Sequence, residues 1–190
     1  MSDSRRSGDL VDLAGRSASA GVDTFQVREK HLPDAELSGL VSRVVAAARG
    51  SRMRVVVNSR PDIAVLSGAQ GVQLPEEGLP IGAVKRAFPS LRIGASRHSF
   101  EGALEAEGEG ADFLVLGPIF KTPGKEARAL GLEVLARAAS RLRIPVHAIG
   151  GIDAETAPLA LGAGAQGLCA IRIFLKGSVE DAVRCLRAGR

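Results

Sequence analysis

Seven short runs of apolar, β-prone residues recur along the chain, at 22–27, 54–58, 71–74, 92–96, 112–120, 146–150 and 167–174. Val55-Val56-Val57 and Leu114-Val115-Leu116 are continuous rather than alternating, which suits parallel strands covered on both faces. Between the runs the spacing becomes helical. Leu37, Leu40, Val41, Val44, Val45 and Ala48 recur every three or four residues, as one face of a helix does. Leu10, Leu13, Ala14 and Ser17 do so more weakly, and Leu132, Leu135, Ala136 and Ala139 form a third stripe. Ser178 and Asp181 resemble a capping box opening the last helix. Shorter helical stretches at 62–67, 81–88, 99–108 and 154–161 bring the expected helices to eight.

A local repeat joins the two kinds of element. Ala20-Gly21-Val22-Asp23, Gly68-Ala69-Gln70-Gly71, Gly110-Ala111-Asp112-Phe113 and Gly164-Ala165-Gln166-Gly167 each lead from a helix into a strand. Glycine closes a helix in the left-handed conformation, and the small residue beside it allows a tight turn. Strict alternation with short connections predicts a parallel α/β fold. Seven strands against eight helices leave the first helix without a strand before it. The expected architecture is a TIM (β/α)8 barrel lacking its first β-strand, as one domain over 1–190. An open doubly wound sheet is the alternative, but no glycine-rich dinucleotide fingerprint follows an early strand.

Composition narrows the function. The 190 residues are 45% hydrophobic and 24% charged, enough apolar material for a sizeable core. With neither Trp nor Tyr, indole-lined sugar sites and tyrosine catalysis are excluded. The net charge is +4, yet the arginines are scattered and six Phe are the only large aromatics, so a nucleic-acid partner is not expected. No apolar run is long enough to span a membrane, and the polar start lacks the centre of a secretory signal. Cys169 and Cys185 lie in apolar segments without metal-ligand spacing, so they are expected to be reduced core thiols in a cytoplasmic protein.

In such a barrel the chemistry belongs at the carboxyl ends of the strands. The first end, Gln26-Val27-Arg28-Glu29-Lys30, gathers two cations, an amide and a carboxylate, a set suited to phosphate oxygens. Read blandly, it is a solvated rim with a Glu–Arg pair. Asn58-Ser59-Arg60 closes the second run, and Gln73-Leu74-Pro75-Glu76-Glu77 the third. The fourth, Ser96-Arg97-His98-Ser99, offers His98 as an acid/base, although a lone strand-end histidine is as readily structural. His147 lies within a run and reads as a core histidine. The fifth end, 117–125, is a Gly/Pro loop carrying Lys121, Thr122 and Lys125. Gly150-Gly151 allows backbone N–H groups to approach a phosphate closely, with Asp153 placed to cap the next helix. Together with Arg172 and Ile173, that pair matches the phosphate site formed by the last two loops of such barrels.

These residues, in this order, resemble the thiamine phosphate synthase/TenI family. Gln26-Val27-Arg28-Glu29-Lys30 is similar to its Q-L-R-E-K segment, and Ile93-Gly94-Ala95-Ser96-Arg97-His98-Ser99 to I-G-x-S-x-H-S. Asn58 with Asp62-Ile63-Ala64, Gly71-Val72-Gln73-Leu74, the stretch from Gly110 through Gly117-Pro118-Ile119-Phe120 to Lys125, and Ile144 to Ile152 extend the likeness over the chain from Val11 onward. The resemblance implies a (β/α)8 barrel of thiamine biosynthesis acting on a small phosphorylated thiazole, with self-association into a homo-oligomer left open. It implies that Gln26, Arg28, Lys30 and Lys125 hold a diphosphate. It also implies that Thr122, Gly151 and backbone near Arg172 and Ile173 hold the thiazole phosphate, with Asn58, Ser96 and Gly150 beside them.

The departures separate two branches. The synthase branch uses Mg²⁺ held by aspartates, but Ser59 and Gly78 stand at those positions and Gln73 replaces a histidine. Glu76 or Glu77 is the available substitute. The Asn-small-Arg, V-Q-L-P and S-x-H-S segments resemble the TenI branch, where a histidine at the position of His98 moves a proton to aromatise a thiazole tautomer without metal. The first expectation is therefore a thiazole tautomerase, an isomerase with no cofactor. The alternatives are a Mg²⁺-dependent thiamine phosphate synthase and a non-catalytic binder of thiazole phosphate. In the family a threonine-aspartate turn follows the first strand, and Ser2-Asp3 matches it. Met1 is thus expected to follow a missing strand, leaving either a true start upstream or an open barrel with an unpaired edge.

Overall fold

A computed structural model describes residues 9–121, 128–175 and 177–187. Its strands are β1 (Thr24–Val27), β2 (Arg54–Asn58), β3 (Gly71–Leu74), β4 (Arg92–Arg97), β5 (Phe113–Leu116), β6 (Val146–Ile149) and β7 (Gly167–Cys169). Helix α1 (Leu10–Ser19) precedes β1, and α2 (Asp34–Ala47), α3 (Pro61–Leu66), α4 (Ile81–Ala87) and α5 (Phe100–Gly108) follow the first four strands. Helices α6 (Gly131–Arg141), α7 (Thr156–Gly162) and α8 (Val179–Arg187) complete eight among the described residues. All strands are parallel and lie in sequence order, β1 to β7.

Strand alternation divides the side chains between two cores. Val55, Val57, Val72, Leu74, Ile93, Leu114 and Leu116 point outward and are fully buried under the helices. Val41, Val44, Ala64, Ala103, Leu135, Ala138 and Ala160 meet them from the helix side. Each large aliphatic buried this way contributes about 1.5–3 kcal/mol, so this outer shell carries most of the stability. The inner face is more polar. Gln26, Val56, Gln73, Val115 and His147, from five different strands, line one common cavity, which requires the sheet to curl. Phe113 fills the space opposite Gly94, where a Cβ would run into the Phe113 ring and Gln73 Oε1. The Phe113 ring also stacks on His147 at 5.4 Å, so His147 is half-buried inside the curl, as a core histidine should be.

The curl stays open among the described residues. β1 pairs only with β2 and β7 only with β6, and a cavity of about 370 Å³ runs along the open side. Leu13 and Ser17 of α1 and Val183 and Leu186 of α8 bound it from outside. This is the seven-stranded, eight-helix incomplete barrel expected from the sequence. None of the described helices is long and apolar enough to cross a membrane.

Three expectations need correction. The run 112–120 yields a strand only at Phe113–Leu116, because Pro118 has no N–H to pair and the chain turns over the end of β6. The run 167–174 yields only Gly167–Cys169, followed by a 3₁₀ turn at Arg172–Leu175, because its pairing ends at Ile149–Cys169, where β6 itself ends. Cys169 and Cys185 each keep part of their surface accessible rather than being fully enclosed, with Cys169 against the cavity and its thiol turned away from water.

Candidate active site

The carboxyl ends of β1 to β4 carry a belt of amides and hydroxyls. Gln26 Nε2 donates to Asn58 Oδ1 at 3.2 Å, and Asn58 Nδ2 donates to Ser59 Oγ at 2.7 Å. Gln73 Nε2 donates to Ser96 Oγ at 2.9 Å. Register explains the spacing, for Asn58 lies beside Gln73 and Gln73 beside Gly94, bringing inward-facing positions of adjacent strands together. Ser59 sits at φ +63°, a conformation unusual for a residue with a side chain, and its N–H donates to Gln73 O at 2.9 Å. The structure thus brings Gln26 to Asn58, and Ser96 to Gln73.

Beyond β1, Arg28 is half-buried and Lys30 exposed, while Glu29 is only 3% exposed, 3.9 Å from His31 Nδ1. Glu29 at this end is thus buried, while Lys30 beside it is exposed. Arg60 is committed elsewhere: it pairs with Asp34 and, at 2.7 Å, with Asp62, tying the first turns of α2 and α3 together. Its guanidinium holds both carboxyl groups below the usual range, with hydrogen bonding as the leading cause.

His98 follows β4, where Ser99 caps α5 by accepting from Gly102 N at 3.0 Å. Its Nδ1 lies 2.6 Å from Glu76 Oε2, across from the loop after β3, and both side chains remain solvent-accessible. The sequence marks Glu76 as a strand-end carboxylate and a substitute magnesium ligand, but its pairing with His98 joins residues 22 positions apart and has no local signature.

The opposite half of the face is backbone. Gly150 and Gly151 take φ +95° and +67°, and the chain after β5 crosses directly above them. Ile119 N donates to Ile149 O at 2.8 Å and Phe120 N to Gly150 O at 3.0 Å. Cβ atoms at 150 and 151 would fall 2.5 Å from Pro118 Cβ and 2.7 Å from Phe120 Cβ. The glycines are therefore required by this crossing whether or not a phosphate binds there. Asp153 does cap the next helix: Glu155 N and Thr156 N each donate to Oδ1 at 3.0 Å. The Thr156 N–H is the main cause holding that carboxyl below its usual range, and the charge of Arg172 adds to it. Arg172 is exposed and Ile173 half-buried on the 3₁₀ turn. Thr122 and Lys125 lie outside the described residues.

Magnesium requires several oxygen ligands, usually with carboxylate among them. No cluster of three or more His, Cys, Asp or Glu side chains suited to a metal occurs among the described residues. The Ser59 hydroxyl already accepts from Asn58, and any side chain at Gly78 would meet Pro75, with Cβ 2.9 Å from its Cδ. Glu76 is engaged with His98. The described residues do not fit a carboxylate-held Mg²⁺ at these positions.

Comparison with known proteins identifies the wider group. The family model described as thiamine monophosphate synthase matches residues 1–174. A putative thiamine-phosphate synthase 2 of Aquifex aeolicus is 43% identical over 157 residues, covering 82% of this chain and 84% of the relative. The thiamine-phosphate synthase of Chlorobium luteolum is 37% identical over 182 residues, 94% of this chain and 86% of that one. The solved thiamine phosphate pyrophosphorylase from Pyrococcus furiosus superposes with a TM-score of 0.90 at 36% identity, covering 97% of this chain and 90% of that chain. These names favour a transferase of thiamine biosynthesis over the isomerase expected first. With the family model matched across most of its length, the chain belongs to the thiamine monophosphate synthase family.

Proposed function

We propose that the chain is a transferase of the thiamine-phosphate synthase type, joining a hydroxymethylpyrimidine diphosphate to thiazole phosphate at the carboxyl-end face. The 36% identity and 0.90 TM-score to the Pyrococcus furiosus pyrophosphorylase over nearly the full chain carry this reading. In the reaction a bond forms from the thiazole to the pyrimidine methylene carbon, and the carbon–oxygen bond to diphosphate breaks. Gln26, Arg28 and Lys30 at the end of β1, together with Lys125, hold the departing diphosphate, with Asn58 and Ser96 beside them. Gly150, Gly151, Arg172 and Ile173, with Thr122, take the thiazole phosphate across the face. No step is assigned to Mg²⁺, because its expected ligands are replaced.

One observation favours a second reading, proton transfer in a thiazole tautomer by His98. The His98–Glu76 pair supplies an oriented imidazole on the same face. Purified protein separates the two. Diphosphate release from the pyrimidine and thiazole substrates, with and without added Mg²⁺, tests the transferase. Absence of release at any Mg²⁺ concentration, together with tautomer turnover lost in His98→Ala, selects the isomerase. Failure of both reactions leaves a binder, which titration with thiazole phosphate would register.

A further inference from the structure

We propose that Glu76 is the positioning residue for His98, holding the proton on Nδ1 so that Nε2 is left as the proton acceptor on the carboxyl-end face. This rests on the second reading above, in which His98 carries the proton. A neutral imidazole places its single proton on either nitrogen, and the hydrogen bond made by one nitrogen decides the state of the other. An ionised carboxylate accepts only, so its 2.6 Å contact with Nδ1 selects the Nδ1–H form.

The carboxylate is itself held. Its Oε1 lies over the first turn of α5, where a Cβ on Gly102 would come within 3.1 Å of it. Glycine at this position makes room for the carboxylate, and the positive end of the nine-residue helix favours a negative charge there. Both partners stand at the ends of neighbouring parallel strands, β3 and β4, whose register fixes their separation. The side chains are 37% and 59% exposed, so the pair lies at the surface of the face with room for a ligand to approach the imidazole. In the isomerisation a proton leaves one atom of the thiazole tautomer for Nε2 and is returned to another. Atoms and charge balance without a further reactant.

The direct readout is the ¹⁵N signature of the His98 ring at a pH where it is neutral, in the wild type and in Glu76→Ala and Glu76→Gln. Nδ1–H is expected in the wild type, a shift toward Nε2–H in Glu76→Ala, and recovery in Glu76→Gln, whose amide oxygen can still accept. Turnover of the tautomer should fall in Glu76→Ala by on the order of tenfold or more, in kcat rather than KM, with Glu76→Gln intermediate. An unchanged ring tautomer in Glu76→Ala overturns the proposal. So does wild-type kcat in Glu76→Ala when His98→Ala is inactive. If His98→Ala retains full turnover, the proton-transfer reading fails and the catalytic role of Glu76 fails with it; the ring signal would still report whether the contact sets the tautomer, so the two failures are distinguishable.

Discussion

The N–H of Ile93, at the start of β4, donates to Asp112 Oδ2 at 2.7 Å, so the residue before β5 caps the strand beside it. The same bond recurs at each second strand. Val55 N of β2 donates to Gln70 Oε1 and Val146 N of β6 to Gln166 Oε1, both at 2.8 Å. All three acceptors occupy the third position of the helix-to-strand repeat, and the buried residues they serve have no other strand on that side at that level. Removing the acceptor leaves the N–H without its partner, at a cost of about 1–3 kcal/mol. Gln70→Ala and Gln166→Ala should each lower stability by that amount in denaturant titrations. Asp112→Ala should cost more than either, because it also frees Lys85, whose Nζ lies 2.6 Å from Asp112 Oδ1.

Asp23 occupies a comparable place before β1 but, among the described residues, has no preceding strand to cap. Its carboxylate is largely exposed and lies 3.7 Å from Arg187. Asp23→Ala should therefore change stability by less than about 0.5 kcal/mol, as surface substitutions do. The unpaired edges carry the complementary consequence. Amides of β1 and β7 should exchange with deuterium faster than those of β3 and β4, which are paired on both sides. Equal protection across all seven strands in native-state exchange would contradict the open edge.

Cys169 lines the cavity on this open side, and burial pushes its thiol up to about 11 from an ordinary value of 9.0. The folded state thus binds the thiol proton more tightly than the unfolded state does. The associated stability is full below pH 9 and lost as pH rises through about 11. Denaturation midpoints should therefore fall more steeply over this range in the wild type than in Cys169→Ser, which has no thiol to titrate. Parallel slopes would show that the thiol is not desolvated.

The parts legible in the sequence were those written in local periodicity. The apolar stripe from Leu37 to Ala48 and the runs at Val55–Val57 and Leu114–Leu116 point to the parallel alternation of seven strands and eight helices seen among the described residues, because parallel βα units repeat one local grammar. The end of β7 was not legible: Ala170 to Phe174 is apolar enough for a strand, and only the end of its partner β6 at Ile149 stops the pairing before the 3₁₀ turn. Within the site, Gln26, Asn58 and Ser96 were visible as polar residues ending apolar strands. Glu76 was visible as a carboxylate but not as the partner of His98, since contact depends on the register of β3 against β4.

Gly151 separates the needs of the fold from those of a ligand. Its φ of +67° would strain any side chain, and a Cβ would meet Phe120 Cβ at 2.7 Å and Lys121 O at 2.9 Å. Left-handed backbone at a non-glycine costs about 1–3 kcal/mol, and the contact adds to it unless the chain after β5 lifts away. Gly151→Ala should therefore lower the melting temperature, by roughly 2–4 °C for each kcal/mol in a chain of this size. The same lift would separate the chain after β5 from the β6 end, where thiazole phosphate is assigned. Affinity for thiazole phosphate, measured by titration calorimetry well below the melting temperature, should then fall along with stability. Reduced stability with unchanged affinity would mean that the glycine serves only the crossing of Phe120, and that the phosphate binds elsewhere on the face.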